Sequence, residues 1–74
     1  MDPSNLVRMA NRIGEFFDAM PDQAQAVDGV ATHLRKFWEP RMRRALLSHV
    51  DDHGMADLHV LVAEALSTRR DQIS

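Results

Sequence analysis

The chain has 74 residues, of which 45% are apolar, 27% charged and 5% aromatic, and its net charge is -2. This length predicts a single domain over residues 1–74, which the patterns below indicate to be helical, and it excludes a multidomain enzyme. The chain contains no cysteine, which excludes disulfides, thiolate metal sites, cysteine-ligated iron–sulfur clusters and a cysteine nucleophile.

Proline, glycine and capping residues divide the chain into four predicted helices, and no segment shows the alternation of a strand. The predicted fold class is therefore all-α. We expect a small bundle with helices at about 3–20, 23–39, 40–53 and 57–68. The polar tail from Ser67 to Ser74 is expected to fray.

The first helix is predicted to begin at Pro3, with Asp2 or Ser4 as its cap, and to end before Pro21. Apolar residues recur along it at spacings of three, four and seven, which indicates one buried stripe. That stripe comprises Leu6, Met9, Ile13, Phe16, Phe17 and Met20.

The second helix is predicted to be capped by Asp22 and to run to Glu39, because the residue before Pro40 disfavours helical geometry. Gly29 weakens this helix and indicates close packing against another element. The predicted buried stripe comprises Val27, Val30, Ala31, Leu34, Phe37 and Trp38.

The third helix is predicted to begin at Pro40 and to end near Gly54, a left-handed C-terminal cap. Its inner side comprises Met42, Ala45, Leu46, His49 and Val50. The fourth helix is predicted to be capped by Asp57. Its inner face comprises Leu58, Leu61, Val62, Ala65 and Leu66. The predicted inner faces accommodate Leu47 and Val60 poorly.

Charge is distributed unevenly, because residues 35–44 carry a net charge of +4 on an otherwise acidic chain. One interpretation places Phe37 and Trp38 in the core and leaves the cations as a solvated rim. A second makes the segment a protein-docking surface, since Trp and Arg dominate interface hot spots and a basic patch steers acidic partners. The docking interpretation assigns partner binding to Arg35, Lys36, Trp38, Pro40, Arg41, Arg43 and Arg44.

Nucleic-acid binding is a third interpretation of the segment. The acidic net charge argues against it, and so do the apolar residues that follow Pro40 where a recognition helix would expose polar side chains. No apolar run approaches the roughly 18 residues of a membrane span, and the N-terminus opens with Asp2 rather than with a basic stretch. We therefore expect a cytoplasmic protein that binds neither nucleic acid nor membrane.

Patterns for catalysis or metal binding are weak. His49 and His53 lie four apart on one helix face and can share a metal, but no glutamate follows His49 in the zincin arrangement. No Ser or Thr lies in a nucleophile elbow or a triad pattern. The three glycines are scattered singly, so no phosphate-binding loop is predicted. We predict no catalytic, cofactor-binding or metal-binding residue and no enzyme activity for this chain alone.

Residues 31–43 read ATHLRKFWEPRMR, a string that is improbable by chance in a chain of this length. Together with residues 6–17 and 61–66, it resembles the small delta subunit of NAD-dependent, molybdenum-containing formate dehydrogenases. Such subunits often read Gly-Gly and then Leu-x-Pro-Leu before the last helix, whereas this chain has His-Gly-Met at 53–55 and Leu-His-Val-Leu at 58–61.

The resemblance implies a non-catalytic accessory subunit that supports assembly, stability or molybdenum-cofactor loading of the catalytic subunit. It implies that molybdenum bis-pterin guanine dinucleotide, iron–sulfur clusters and FMN lie in the larger subunits. The expected partners are those larger subunits, chiefly the molybdenum catalytic subunit. A core this small contributes only about 3 to 5 kcal/mol, so we expect the isolated chain to be weakly stable or to self-associate.

Two other functions stay open on the sequence. One is a free-standing helical module with a regulatory or nucleic-acid-binding role, whose affinity for phosphate would fall steeply with salt. The other is a small metal-binding protein that uses His49 and His53.

Overall fold

A computed structural model describes residues 2–74 as a bundle of five α-helices, with no strand in that range. The helices are α1 Pro3–Phe17, α2 Gln23–Phe37, α3 Pro40–His53, α4 Val60–Thr68 and α5 Arg70–Ile73. The all-α prediction is confirmed. None of the helices described is long and apolar enough to cross a membrane.

Aspartate side chains cap the N-termini of the first two helices, as predicted. The Asp2 carboxylate accepts a hydrogen bond from the backbone N–H of Ser4 at 3.0 Å. Asp22 accepts from the N–H of Ala24 at 2.9 Å in the same way. These bonds satisfy backbone donors that have no partner within the helix.

Proline and glycine fix both ends of α3. Glu39 is extended, with ψ at 149°, because Pro40 excludes helical geometry from the residue before it. Trp38 is also extended, so α2 ends at Phe37 rather than at the predicted Glu39. Gly54 ends α3 with φ at 83°, and its N–H donates to the Val50 carbonyl at 2.8 Å, which confirms the predicted cap.

Apolar side chains from all five helices form one buried core. Helix α2 lies at its centre and packs against the other four helices, and α4 packs against α1, α2 and α5. The largest fully buried side chains are Val27, Val30, Leu34, Leu46, Val62, Leu66 and Ile73. Leu47 is buried as well, contrary to the prediction, whereas Val60 is exposed as expected.

The buried face of α1 is rotated from the predicted stripe. It comprises Leu6, Val7, Ala10 and Gly14. Met9, Phe16 and Met20 are exposed, so their predicted burial was wrong. Small residues explain the rotation, because a Cβ on Gly14 would lie 2.9 Å from Cγ of His59. Helix α1 approaches the start of α4 at Gly14, Ala10 is buried on the same helix, and Met9 and Phe16 are left exposed.

His59, and not the predicted Asp57, caps α4. Its Nδ1 accepts a hydrogen bond from the N–H of Leu61 at 3.1 Å. Asn11 on α1 holds the preceding loop: its Oδ1 accepts from the N–H of His59 at 2.8 Å, and its Nδ2 donates to the Asp57 carbonyl at 3.0 Å. A side chain from another helix therefore decides where α4 begins.

The C-terminal tail is ordered, which differs from the expected fraying. Ile73 on α5 is fully buried, and α5 packs against α2. Arg70 makes a bidentate pair with Asp51 on α3, with Nη1–Oδ1 at 3.1 Å and Nη2–Oδ2 at 2.8 Å. These hydrogen bonds lower the pKa of the Asp51 carboxyl and raise the pKa of Arg70. The tail is thus anchored by one apolar side chain and one ion pair.

Candidate docking surface

Five cations lie on both sides of the bend between α2 and α3. Arg35 and Lys36 belong to the last turn of α2, and the first turns of α3 supply the other three. We call this set the basic junction, comprising Arg35, Lys36, Arg41, Arg43 and Arg44. Only Trp38 and Glu39 separate the two helices, so the junction is a short, sharply bent segment of chain.

The cations of the basic junction have no ionic partner within residues 2–74. Four of them are exposed, and Arg43 is half-buried. The Arg–carboxylate pairs that do form lie elsewhere, between Arg69 and Asp28 and between Arg70 and Asp51. Glu39 is exposed, and among the described residues its carboxylate forms no ion pair with these cations. The positive charge of the junction is therefore open to solvent and to any acidic partner.

Arg43 has an unmet hydrogen-bonding requirement. Its Nε is buried and has no hydrogen-bond acceptor in the part of the chain that the structure describes. A guanidinium stays protonated in proteins, so each of its N–H groups needs an acceptor.

Trp38 and Pro40 complete the set that the sequence assigns to partner binding. The structure places Trp38 in the core at 7% exposure, as the first interpretation of this segment has it. Trp38 therefore offers almost no surface to a partner and supports the bend from inside. Pro40 is exposed at the first position of α3, beside the cations.

An apolar groove of about 490 Å³ runs along α2 next to the basic junction. We call it the aromatic groove. It is lined by Phe17, Met20, Gln25, Asp28, Gly29, Thr32, His33, Lys36 and Phe37. Lys36 belongs to both the groove and the basic junction, so the two surfaces are continuous.

Aromatic rings from α1 and α2 contact one another in series: Phe17, His33 and Phe37 line the groove, and Phe16 lies beside it against Phe17. Ring centroids are 5.0 Å apart for Phe16 and Phe17, 6.4 Å for Phe17 and His33, and 4.8 Å for His33 and Phe37. The end members Phe16 and Phe37 are 74% and 72% exposed. Large contiguous apolar patches, unlike single exposed apolar residues, are typical of interaction sites, so these rings are candidates for a docking surface.

Gly29 lets the Phe17 ring lie directly on α2. A Cβ at position 29 would come within 2.5 Å of Cε1 of Phe17, so only glycine permits this approach. The predicted close packing at Gly29 is confirmed. Helical spacing alone missed the groove, because it assigned Phe16 and Phe37 to the core. The sequence did contain a signal for exposed rings. Phe16 and Phe17 are adjacent, as are Phe37 and Trp38, and neighbours on a helix point about 100° apart, so both members of a pair do not point into the core together.

The chain carries a recognised family signature across most of its length. A sequence profile of the family described as the NADH-dependent formate dehydrogenase delta subunit FdsD matches residues 5–66. The chain belongs to this family. The match confirms the resemblance read from the sequence, and it spans both the basic junction and the aromatic groove. Comparisons with curated proteins and with solved structures gave no match.

Membership of the FdsD family makes the chain a formate dehydrogenase subunit, which implies partner subunits. The chain has no cysteine, and its three glycines lie apart in the sequence. The rings of His49 and His53 are 4.9 Å apart, and Nε2 of His49 lies 3.8 Å from Oδ2 of Asp57. From Asp2 to Ser74, however, no three His, Cys, Asp or Glu side chains are grouped to hold a metal ion.

Proposed function

We propose that this chain is a non-catalytic accessory subunit that docks on the larger formate dehydrogenase subunits through the basic junction. The observation that carries the proposal is the set of unpaired cations there, in a chain of the FdsD family. The chief partner is the molybdenum catalytic subunit, and docking supports its assembly, its stability or the loading of its cofactor.

The Arg43 guanidinium supports an acidic partner surface, because it is only half-buried and has no ionic partner among residues 2–74. The exposed cations around Arg43 add long-range attraction, which accelerates encounter with an acidic surface.

The absence of cysteine, of a nucleophile pattern and of a phosphate-binding loop from the sequence supports the non-catalytic role. In this proposal molybdenum bis-pterin guanine dinucleotide, iron–sulfur clusters and FMN are held by the larger subunits. The family match favours a subunit of a complex over a free-standing regulatory or nucleic-acid-binding module. A cytoplasmic location stays a prediction.

Co-expression of the tagged chain with the larger subunits tests the proposal. Replacing Arg41 and Arg44 together with Glu should greatly reduce the larger subunits that co-purify, because two attractive charges become repulsive. Replacing Arg8 and Arg12 with Glu is the matched control, since both are exposed arginines on α1 outside the junction. Full co-purification by the Arg41→Glu/Arg44→Glu variant would show that the junction is only a solvated rim.

A further inference from the structure

We propose that the aromatic groove receives an acidic amphipathic helix that belongs to a larger formate dehydrogenase subunit. This inference rests on the proposed function and adds a second contact to it, together with the chemistry of the bound segment. The groove continues the basic junction at Lys36, so one partner surface can occupy both.

The shape of the groove fits a helix. Its floor is one stripe of α2 that recurs every three or four residues from Gln25, through Gly29 and His33, to Phe37. These positions span about 18 Å at 1.5 Å per residue, which is the length of about three helical turns. A helix bound in such a groove presents anchors at positions i, i+3 or i+4, and i+7. Within residues 2–74 there is no strand, so an added strand has no sheet edge to join.

Aromatic rings in and beside the groove supply the apolar contact. Phe37 lines the groove and Phe16 lies next to the lining residue Phe17; both expose most of their rings, and Phe17 and His33 connect them. Aromatic residues are enriched in the cores of protein interfaces, because they remove a large apolar area from water with few side-chain torsions to order. The apolar face of an amphipathic helix would cover these rings.

Charge determines which kind of helix fits. The carboxylate of Asp28 lies 3.7 Å from Nε of Arg69, so its negative charge is already countered. The ammonium group of Lys36 has no such partner in the described chain, and Arg35 precedes it on the same turn. The groove is thus apolar along its length and positive at the end near Phe37. A segment with an apolar stripe and carboxylates at that end is complementary to it.

A second copy of this chain is the alternative occupant, and the cross-link described below distinguishes the two. In a symmetric pairing residue i of one copy meets residue j of the other, so like charges oppose the pairing only where the two-fold axis brings the two Lys36 side chains together.

The test uses the tagged chain co-expressed with the larger subunits. Phe37→Glu should reduce the co-purified larger subunits at least about tenfold, and Phe16→Glu should reproduce the loss beside the lining residue Phe17. Lys36→Glu should weaken association, whereas Lys36→Arg should retain it, because the cation is kept. Val60→Glu is the matched control, since Val60 is 63% exposed and lies outside the groove. Circular dichroism should show unchanged helix content for every variant, since all these side chains are exposed.

Cross-linking identifies the occupant. With p-benzoylphenylalanine at position 37 in the co-expressed complex, mass spectrometry should find a cross-link to a net acidic, amphipathic helical segment of a larger subunit. A cross-link to another copy of the chain, or to a segment without an apolar stripe, overturns the inference. If the unaltered chain fails to co-purify, the proposed function fails with it. If the chain and all groove variants co-purify equally, only the groove assignment fails.

Discussion

Phe37 and Trp38 are adjacent in the chain, yet Phe37 is 72% exposed and Trp38 is 7% exposed. Helix α2 ends between them, and the extended backbone of Trp38 turns its indole into the core while the Phe37 ring stays in the aromatic groove. The end of α2 therefore buries Trp38 in the core, where it stabilises the fold, and leaves Phe37 on the surface.

Substitution of these two residues should give opposite results. Trp38→Ala should cost about 3 to 5 kcal/mol of stability, which is enough to unfold a domain of this size. Phe37→Ala should change the free energy of unfolding by no more than about 0.5 kcal/mol, as is usual for an exposed position. Urea denaturation followed by circular dichroism measures both. Equal losses in the two variants would contradict the environments described for them.

Asn11→Ala should destabilise the protein by about 1 to 3 kcal/mol. The substitution removes the acceptor of the His59 N–H and the donor to the Asp57 carbonyl, so a part-buried N–H loses its partner. Amide hydrogen exchange at His59 and Leu61 should accelerate more than exchange in α2. Asn5→Ala is the control, because the Asn5 side chain bonds only the exposed Arg8 within the described residues. An Asn11→Ala variant as stable as the Asn5→Ala variant would show that the loop before α4 is held by other means.

The pair between Asp51 and Arg70 predicts a dependence of stability on pH. The pKa of Asp51 is lower in the folded chain than the ordinary value of 3.8, mainly because of the hydrogen bonds from Arg70. Its stabilising effect is present above that ordinary value and is lost as the pH falls through the lower folded-state pKa. Asp51→Asn should therefore lower the urea midpoint at pH 7, and the difference from the unaltered chain should vanish in strong acid.

Asp52→Asn is the control for this effect, since Asp52 is exposed and its side chain takes part in no ion pair among residues 2–74. It should leave the urea midpoint at pH 7 almost unchanged. A pH profile for Asp51→Asn that runs parallel to that of the unaltered chain would argue against a contribution from the pair.

Ile73→Ala should cost about 2 to 5 kcal/mol, although the residue lies next to the end of the chain. Its side chain is fully buried and α5 packs on the central helix α2, so its loss leaves a cavity in the core. Gln72→Ala is the matched control, because Gln72 is exposed on the same short helix. Thermal denaturation of the two variants should differ by many degrees. Similar melting temperatures would show that α5 contributes little to the fold.

The helix ends that depend on local chemistry could be predicted from the sequence. Asp2, Asp22 and Gly54 act on backbone groups within a few residues, so capping rules place them correctly. The start of α4 depends instead on Asn11, which is 48 residues away from His59. Local patterns contain no information about such a pairing, and the prediction chose Asp57.

One part of the candidate site could likewise be predicted from the sequence, and the other part could not. The basic junction is contiguous in the chain, so charge counting finds it. The aromatic groove is assembled from two helices, and its existence depends on which of two adjacent phenylalanines α1 turns outward. Periodicity could not decide this, because Ala10 and Gly14 determine how α1 faces α4, and both are small residues with weak hydrophobic signals.

Because Ile73 is buried, the folded unit extends beyond the residues that the family profile matches. The family signature ends at residue 66, whereas the core continues for seven residues to Ile73. An expression fragment trimmed to the signature would lack a core side chain and the arginine that ties α5 to α3.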